Sequence, residues 1–159
     1  MREIQLTKGK IAIIDDCDYD FLIQWTWHAT FNRRTWYARS SDGNCFQMSR
    51  LIVGALPSEK VDHWDHNGLN NQRYNLRVCN NSQNCANKRV PSNNTSGFKG
   101  VHRVGNRWRA RIGWQQNGVQ LKKCLGIYDS PQQAAAEYDF AAVMLWGEFA
   151  LTNAALGLL

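Results

Sequence analysis

Residues 61–89, VDHWDHNGLNNQRYNLRVCNNSQNCANKR, decide how the rest of the chain is read. They carry two acid–histidine pairs, Asp62-His63 and Asp65-His66, and eight asparagines: Asn67, Asn70, Asn71, Asn75, Asn80, Asn81, Asn84 and Asn87. An asparagine amide competes for nearby backbone groups, so Asn is poor in helix interiors and favoured in turns. Such density is neither ordinary core nor ordinary helix. VDHW reads as a short strand and NGLNN as a turn. YNLRVCN, with Leu76 and Val78 alternating with polar neighbours, reads as a returning strand. SQNCANKR reads as a short helix opened by Ser82 as N-cap.

These residue types point to metal-assisted hydrolysis of a phosphodiester. A carboxylate and an amide oxygen are hard ligands suited to Mg²⁺ or a similar divalent ion. A histidine beside such a ligand can take a proton from water near neutral pH. The cation can stabilise charge on the scissile phosphate and the leaving oxygen.

The order DH, NLR, QN at these spacings resembles the HNH nuclease motif, also called the ββα-metal motif. The resemblance implies that Asp62 is a metal ligand and His63 the general base. It implies that Asn75 holds the hairpin loop and positions His63, and that Asn84 completes the metal site. Mg²⁺ is the expected ion, with Mn²⁺ as the alternative, and no small-molecule cofactor is expected. Product ends with a 3′-hydroxyl and a 5′-phosphate are also implied. Asp65 and His66 either support the ligating groups, contact phosphate, or are simply solvated loop charges. Gly68 is expected to serve the turn.

Composition narrows the class. The 159 residues suffice for one large or two small domains, and 43% hydrophobic content is normal for a folded chain. A net charge of +6 fits an anionic partner such as nucleic acid. Seven tryptophans are core residues or faces for DNA sugars and bases. Five cysteines without a CxxC pair argue against structural zinc, and Cys79 and Cys85 are expected to be buried thiols. Reduced cysteines suggest an intracellular protein. No signal-like or membrane-spanning apolar run is present.

Residues 1–14 read as two strands around a Lys8-Gly9 turn. Asp15, Asp16, Asp18 and Asp20 lack the Gly and terminal Glu of a calcium loop. Asp18 is expected to cap a helix through Tyr19 to Gln24. WTWHATFNRRTWYARS reads as strand, turn, strand, with Asn32-Arg33-Arg34 at the tip, and Ser41-Asp42-Gly43-Asn44 as a turn. Phe46 to Val53 reads as a strand running into a short helix that ends near Gly54. This arrangement resembles the region before the motif in small phage-type HNH homing endonucleases, which suggests a phage-encoded origin. Ser49 stands where such proteins often carry His.

Residues 90–97, VPSNNTSG, read as a linker. Beyond it, Ser96 to Tyr128 carries seven Lys or Arg and no acid, whereas Asp129 to Leu159 carries four acids and no Lys or Arg. Arg107, Arg109 and Arg111 alternate with Trp108, Ala110 and Ile112, placing the arginines on one strand face. PQQAAAEYDFAAVMLWGEF reads as a helix with Ser130 as cap, Pro131 at its start and Gly147 at its end. A three-stranded sheet on one helix follows, with the sheet's other face basic.

Residues 96–153 resemble the plant ethylene-response-factor type of DNA-binding domain, through Gly100-Val101, Trp108, Ala110, Ile112, LGIYD, AAAEYD, Gly147 and Asn153. That family lays its sheet in the major groove. By position, the implied DNA contacts are Lys99, His102, Arg103, Arg107, Arg109, Arg111, Trp114 and Lys122. Cys124 stands where the family has Trp, so base preference does not transfer.

The expected protein is α+β, with a nuclease domain over 1–90 and a DNA-binding domain over 96–159. Its expected activity is homing-type nicking or cutting of double-stranded DNA by a monomer, for which one motif per chain suggests a nick. The alternatives are a DNA-binding transcriptional regulator with a decayed nuclease site and a non-specific defence nuclease.

Overall fold

The computed structural model describes residues 1–42 and 45–159, so part of the expected 41–44 turn lies outside the described residues. The chain forms two compact units, Met1–Asn80 and Asn81–Leu159.

The first unit is built from three antiparallel hairpins and two short helices. Strands β1 (Arg2–Gln5) and β2 (Ile11–Ile14) pair across a turn where Lys8 and Gly9 both take positive φ. Helix α1 (Tyr19–Leu22) follows, then β3 (Trp27–Phe31) and β4 (Trp36–Ser40). Helix α2 (Met48–Val53) ends at Gly54, in the left-handed conformation that favours glycine. Strands β5 (Lys60–His63) and β6 (Leu76–Cys79) make the third hairpin. Inward residues of every element meet in one apolar core that includes Ile4, Ile14, Leu22, Trp27, Met48 and Leu76. The Arg50 guanidinium donates to the carbonyls of Ala55, Leu56 and Glu59, fixing the connection from α2 to β5.

Two local expectations fail here. Asp18 sits at the N-cap of α1 but makes no capping bond, and the helix stops at Leu22. The carboxylate is instead gripped by both arms of Arg73, at 2.9 and 2.5 Å, and an ionic pair of bonds outcompetes a single amide. The strand expected at Phe46 reduces to one bridge between Arg39 and Gln47.

The second unit begins with α3 (Asn81–Ala86). Strands β7 (Val101–Val104), β8 (Arg107–Gln116) and β9 (Val119–Tyr128) form an antiparallel sheet in that order, covered by α4 (Pro131–Trp146). Ser130 and Gln133 form a reciprocal capping box at the start of α4, which explains the sharp helix start. Gly100 is required by close approach, because a Cβ there would enter the Tyr138 ring.

The boundary between the units falls at Asn80/Asn81 and not at the 90–97 linker. Packing of α3 is the reason: Ala86 lies in a core with Ile112, Tyr138, Ala142 and Trp146. Ser82 is inside α3 rather than capping it, and its hydroxyl accepts from the Trp146 indole at 3.1 Å. Among the described residues no helix is long and apolar enough to cross a membrane.

Candidate functional site

The β5–β6 hairpin places two chemical groups side by side in the first unit. Its register sets Asp62 opposite Arg77 and His63 opposite Leu76. Asp62 and His63 are both buried, at 7% and 6% exposure. Arg77 donates to Asp62 Oδ2 at 2.5 Å. Sequence reasoning misses Arg77, because a cross-strand partner becomes visible only when the register is known. His63 Nε2 lies 3.3 Å from Asn71 Oδ1, and its ring stands edge-on to Tyr37 with centroids 5.7 Å apart. Burial lowers the His63 pKa, opposed by the Asn71 hydrogen bond and the charges of Asp65 and Asp62. Burial, reinforced by Asp62, raises that of Tyr37.

The loop between the strands is held by its asparagines. Fully buried Asn75 accepts from the Asp65 amide at 3.0 Å and donates to Asp65 Oδ1 at 2.9 Å and the Asn70 carbonyl at 2.8 Å. Asp65 Oδ2 takes a further bond from Asn70, and Asp65 Oδ1 one from the Asn67 amide. Asn75 thus holds the hairpin loop, while the contact to His63 comes from Asn71. Asp65 is the hub of this network, and His66 adopts positive φ within it. Gly68 packs on Tyr37: a Cβ there would lie 2.6 Å from that ring and 2.5 Å from the Trp36 carbonyl. The Ile13 amide donates to Leu69 and the Asn71 amide donates to Ile13, tying the loop to β2.

Asn84 lies half-buried on α3, in the second unit. Cys79 is buried as expected, but Cys85 is exposed on α3, with the Lys88 ammonium 3.2 Å from its sulfur. Ser49, at the place where a histidine was expected, is a buried residue of α2.

In the second unit, the strand register sorts the expected DNA contacts. Arg107, Arg109 and Arg111 lie on one face of β8, with His102 opposite Arg109. A bulge at Ala110/Arg111 shifts β9, so that Arg111 pairs with Cys124 and Gly113 with Lys122, extending that face. Burial, with the charges of Arg111 and Arg109, lowers the His102 pKa. Arg103 and Trp114 are placed otherwise. Arg103 pairs with Trp108, whose side packs under α4, and its guanidinium lies 5.9 Å from that ring. Trp114 packs with the core under α4. Lys99 is buried, donating to the Ala86 carbonyl at 2.8 Å and to that of Leu151, and burial brings its pKa down to about 8 against the pull of Asp139. Its main chain is clasped by buried Asn153, which Asp139 holds in turn. Lys99 and Trp114 thus serve packing, whereas Arg103 stays exposed on the Trp108 side of the sheet, donating to the Gly105 carbonyl.

Fold and site define an α+β protein of small antiparallel sheets, with a buried acid–histidine pair on one hairpin and a basic sheet elsewhere. The chain is 32% identical over 153 residues, 92% of its length and 76% of the relative's, to a protein of Acanthamoeba polyphaga mimivirus described as an uncharacterized HNH endonuclease. The chain belongs to the HNH endonuclease family. It is also 33% identical over 86 residues, 54% of its length and 31% of the relative's, to an ethylene-responsive transcription factor of Medicago truncatula. No family model matches the chain. No solved structure matches it.

Proposed function

We propose that this chain is a metal-dependent DNA endonuclease in which His63 is the general base for attack of water on a phosphodiester. The observation that carries this reading is the buried Asp62-His63 pair, with the imidazole pKa held down by burial and the ring held in place by Asn71 and Tyr37. A histidine kept neutral at pH 7 is ready to accept a proton, and an oriented one need not be reoriented during the reaction. His63 takes the proton of the attacking water.

Among the described residues there is no cluster of three or more His, Cys, Asp or Glu that could enclose a metal. The donor set still fits Mg²⁺, which keeps several waters and commonly takes only one or two carboxylates alongside substrate phosphate oxygens. Asp62 would be the carboxylate ligand, with Arg77 fixing its Oδ2. On the spacing of the motif, Asn84 is carried as an amide-oxygen ligand. When bound, the ion supplies charge stabilisation at the phosphate and the leaving oxygen. Asp65 supports the loop from behind.

The face formed by His102, Arg107, Arg109, Arg111 and Lys122 is proposed to hold duplex DNA, since arginine serves both as phosphate partner and as bidentate reader of guanine. A single motif per chain makes a nicking monomer of homing type the reading adopted. Supercoiled plasmid relaxation with Mg²⁺ or Mn²⁺, with and without EDTA, tests the activity. Relaxation abolished by EDTA supports it; DNA binding with no relaxation under either ion leaves a DNA-binding regulator. Cutting of a site library then separates a homing enzyme, which selects a few members, from a defence nuclease, which selects none.

A further inference from the structure

We infer that Asn71 is the positioning residue for His63, setting which ring nitrogen carries the proton. The inference rests on the reading of His63 as general base. The Asn71 side-chain oxygen is 3.3 Å from His63 Nε2, and an amide oxygen can only accept. Nε2 is therefore the protonated nitrogen of the neutral ring, and Nδ1 carries the lone pair that takes the proton from water. The resemblance to HNH nucleases implied Asn75 for this task, but the Asn75 side chain is committed to Asp65 and Asn70.

Asn71 is built to hold one position. It is 1% exposed, and its backbone N–H donates to the Ile13 carbonyl at 2.7 Å. The neighbouring Leu69 carbonyl is tied to the Ile13 amide at 2.8 Å, so the backbone on both sides of Asn70 is anchored to a strand of the core. Tyr37 closes the imidazole from a second direction. Asn71 Nδ2 is buried with no hydrogen-bond partner among the described residues. A buried amide hydrogen left unmatched is costly, and such costs concentrate where a side chain is held for function rather than for stability.

Long-range proton–nitrogen correlation spectra of the imidazoles in the intact protein test this directly, with the His63 signals assigned by their loss in His63→Gln. The expected result is Nε2-protonated His63 in the parent. A mixture of tautomers is expected in Asn71→Leu, which fills the same space without an acceptor. Asn71→Asp, which restores an oxygen, should return the proton to Nε2. In parallel, kcat for Mg²⁺-dependent nicking should fall roughly ten- to a hundredfold in Asn71→Leu, as for other residues that orient a catalytic group through a hydrogen bond, with KM for DNA unchanged. An Nδ1-protonated His63 in the parent overturns the inference, as does Asn71→Leu with parental tautomer and parental kcat. A parent that never nicks DNA overturns the nuclease reading alone, since the spectra still decide the Asn71 contact. If Asn71→Leu does not fold, the parent spectrum and Asn71→Asp decide it.

Discussion

The two polar surfaces of this chain are built on opposite plans. In the β5–β6 hairpin, Asp62, His63, Asn71 and Asn75 are all buried, and each has a hydrogen-bonded partner. On the β7–β9 sheet the side chains of His102, Arg107 and Lys122 are exposed, placed by strand register, with Arg107 also paired to Asp129 at 2.8 Å. The contrast follows from what each region is proposed to do. A group that moves a proton must sit within hydrogen-bond reach of its target, so a network that fixes its orientation is worth a folding cost. A surface that neutralises phosphates needs charge at roughly the right spacing, and long solvated side chains adjust to the rest.

The sharpest break between the two regions should come from His63→Ala. Nicking is expected to fall by roughly two to four orders of magnitude, the range for loss of a general base, while DNA affinity and Mg²⁺ binding stay near parental. A metal titration of the nicking rate checks it: excess Mg²⁺ should leave His63→Ala dead and partly rescue Asn84→Ala. Full activity in Asp62→Ala would show that the roles are wrongly assigned.

The sheet should respond through affinity instead. Replacing Arg109, Arg111 and Lys122 together by Gln should weaken DNA binding and flatten its salt dependence by about 0.9 units of slope for each phosphate no longer neutralised. The rate at saturating DNA should be unchanged. Affinity measured across a salt series decides, and an unaltered slope would mean that this face does not meet the backbone. The intact chain is needed for the comparison. Cutting at residue 90 would strip α3 of its packing on Ile112 and Trp146 as well as removing the basic face.

Asn75→Ala tests whether the hairpin is a network or a set of separate contacts. It leaves the Asp65 amide and the Asn70 carbonyl short of a partner, which should cost about 2–4 kcal/mol of stability. A denaturant midpoint that falls at constant m-value would show it. The binding slope of the sheet should not move.

The smallest effect is expected from pH acting on Lys99, which resembles the hairpin residues more than its basic neighbours. Its pKa is near 8 in the folded chain against an ordinary 10.5. Between those values the unfolded chain binds more protons, so stability should rise with pH across that window, with the penalty fully present below it. Allowing for solvent screening, the gain is about 1–2 kcal/mol. The neutral amine keeps its donors to Ala86 and Leu151. Lys99→Met should abolish the rise, as followed by thermal melting between pH 7 and 10.

Legibility in the sequence depends on whether the signal is local. The start of α4 is readable because Ser130, Pro131 and Gln133 act within one turn. The β1 and β2 strands and their Lys8-Gly9 turn are readable for the same reason. Capping chemistry misplaces Asp18 because its strongest partner, Arg73, is distant in sequence, and local rules say nothing about such a competitor. Ser82 is misplaced likewise, through Trp146.

By itself the sequence determined most of the strands and the long helix, the Asp-His pair, the asparagine-rich loop and the separation of basic from acidic segments, because propensity, spacing and charge are properties of neighbours along the chain. Only the tertiary structure decided that Arg77 faces Asp62, that Asn71 rather than Asn75 meets His63, that Arg103 pairs with Trp108 and that Lys99 is buried. Those are matters of strand register and of how the connecting segments dock, such as the 64–75 loop on β2. Each depends on contacts between segments far apart in sequence, and shifting a strand by one residue sends every one of its side chains to the other face.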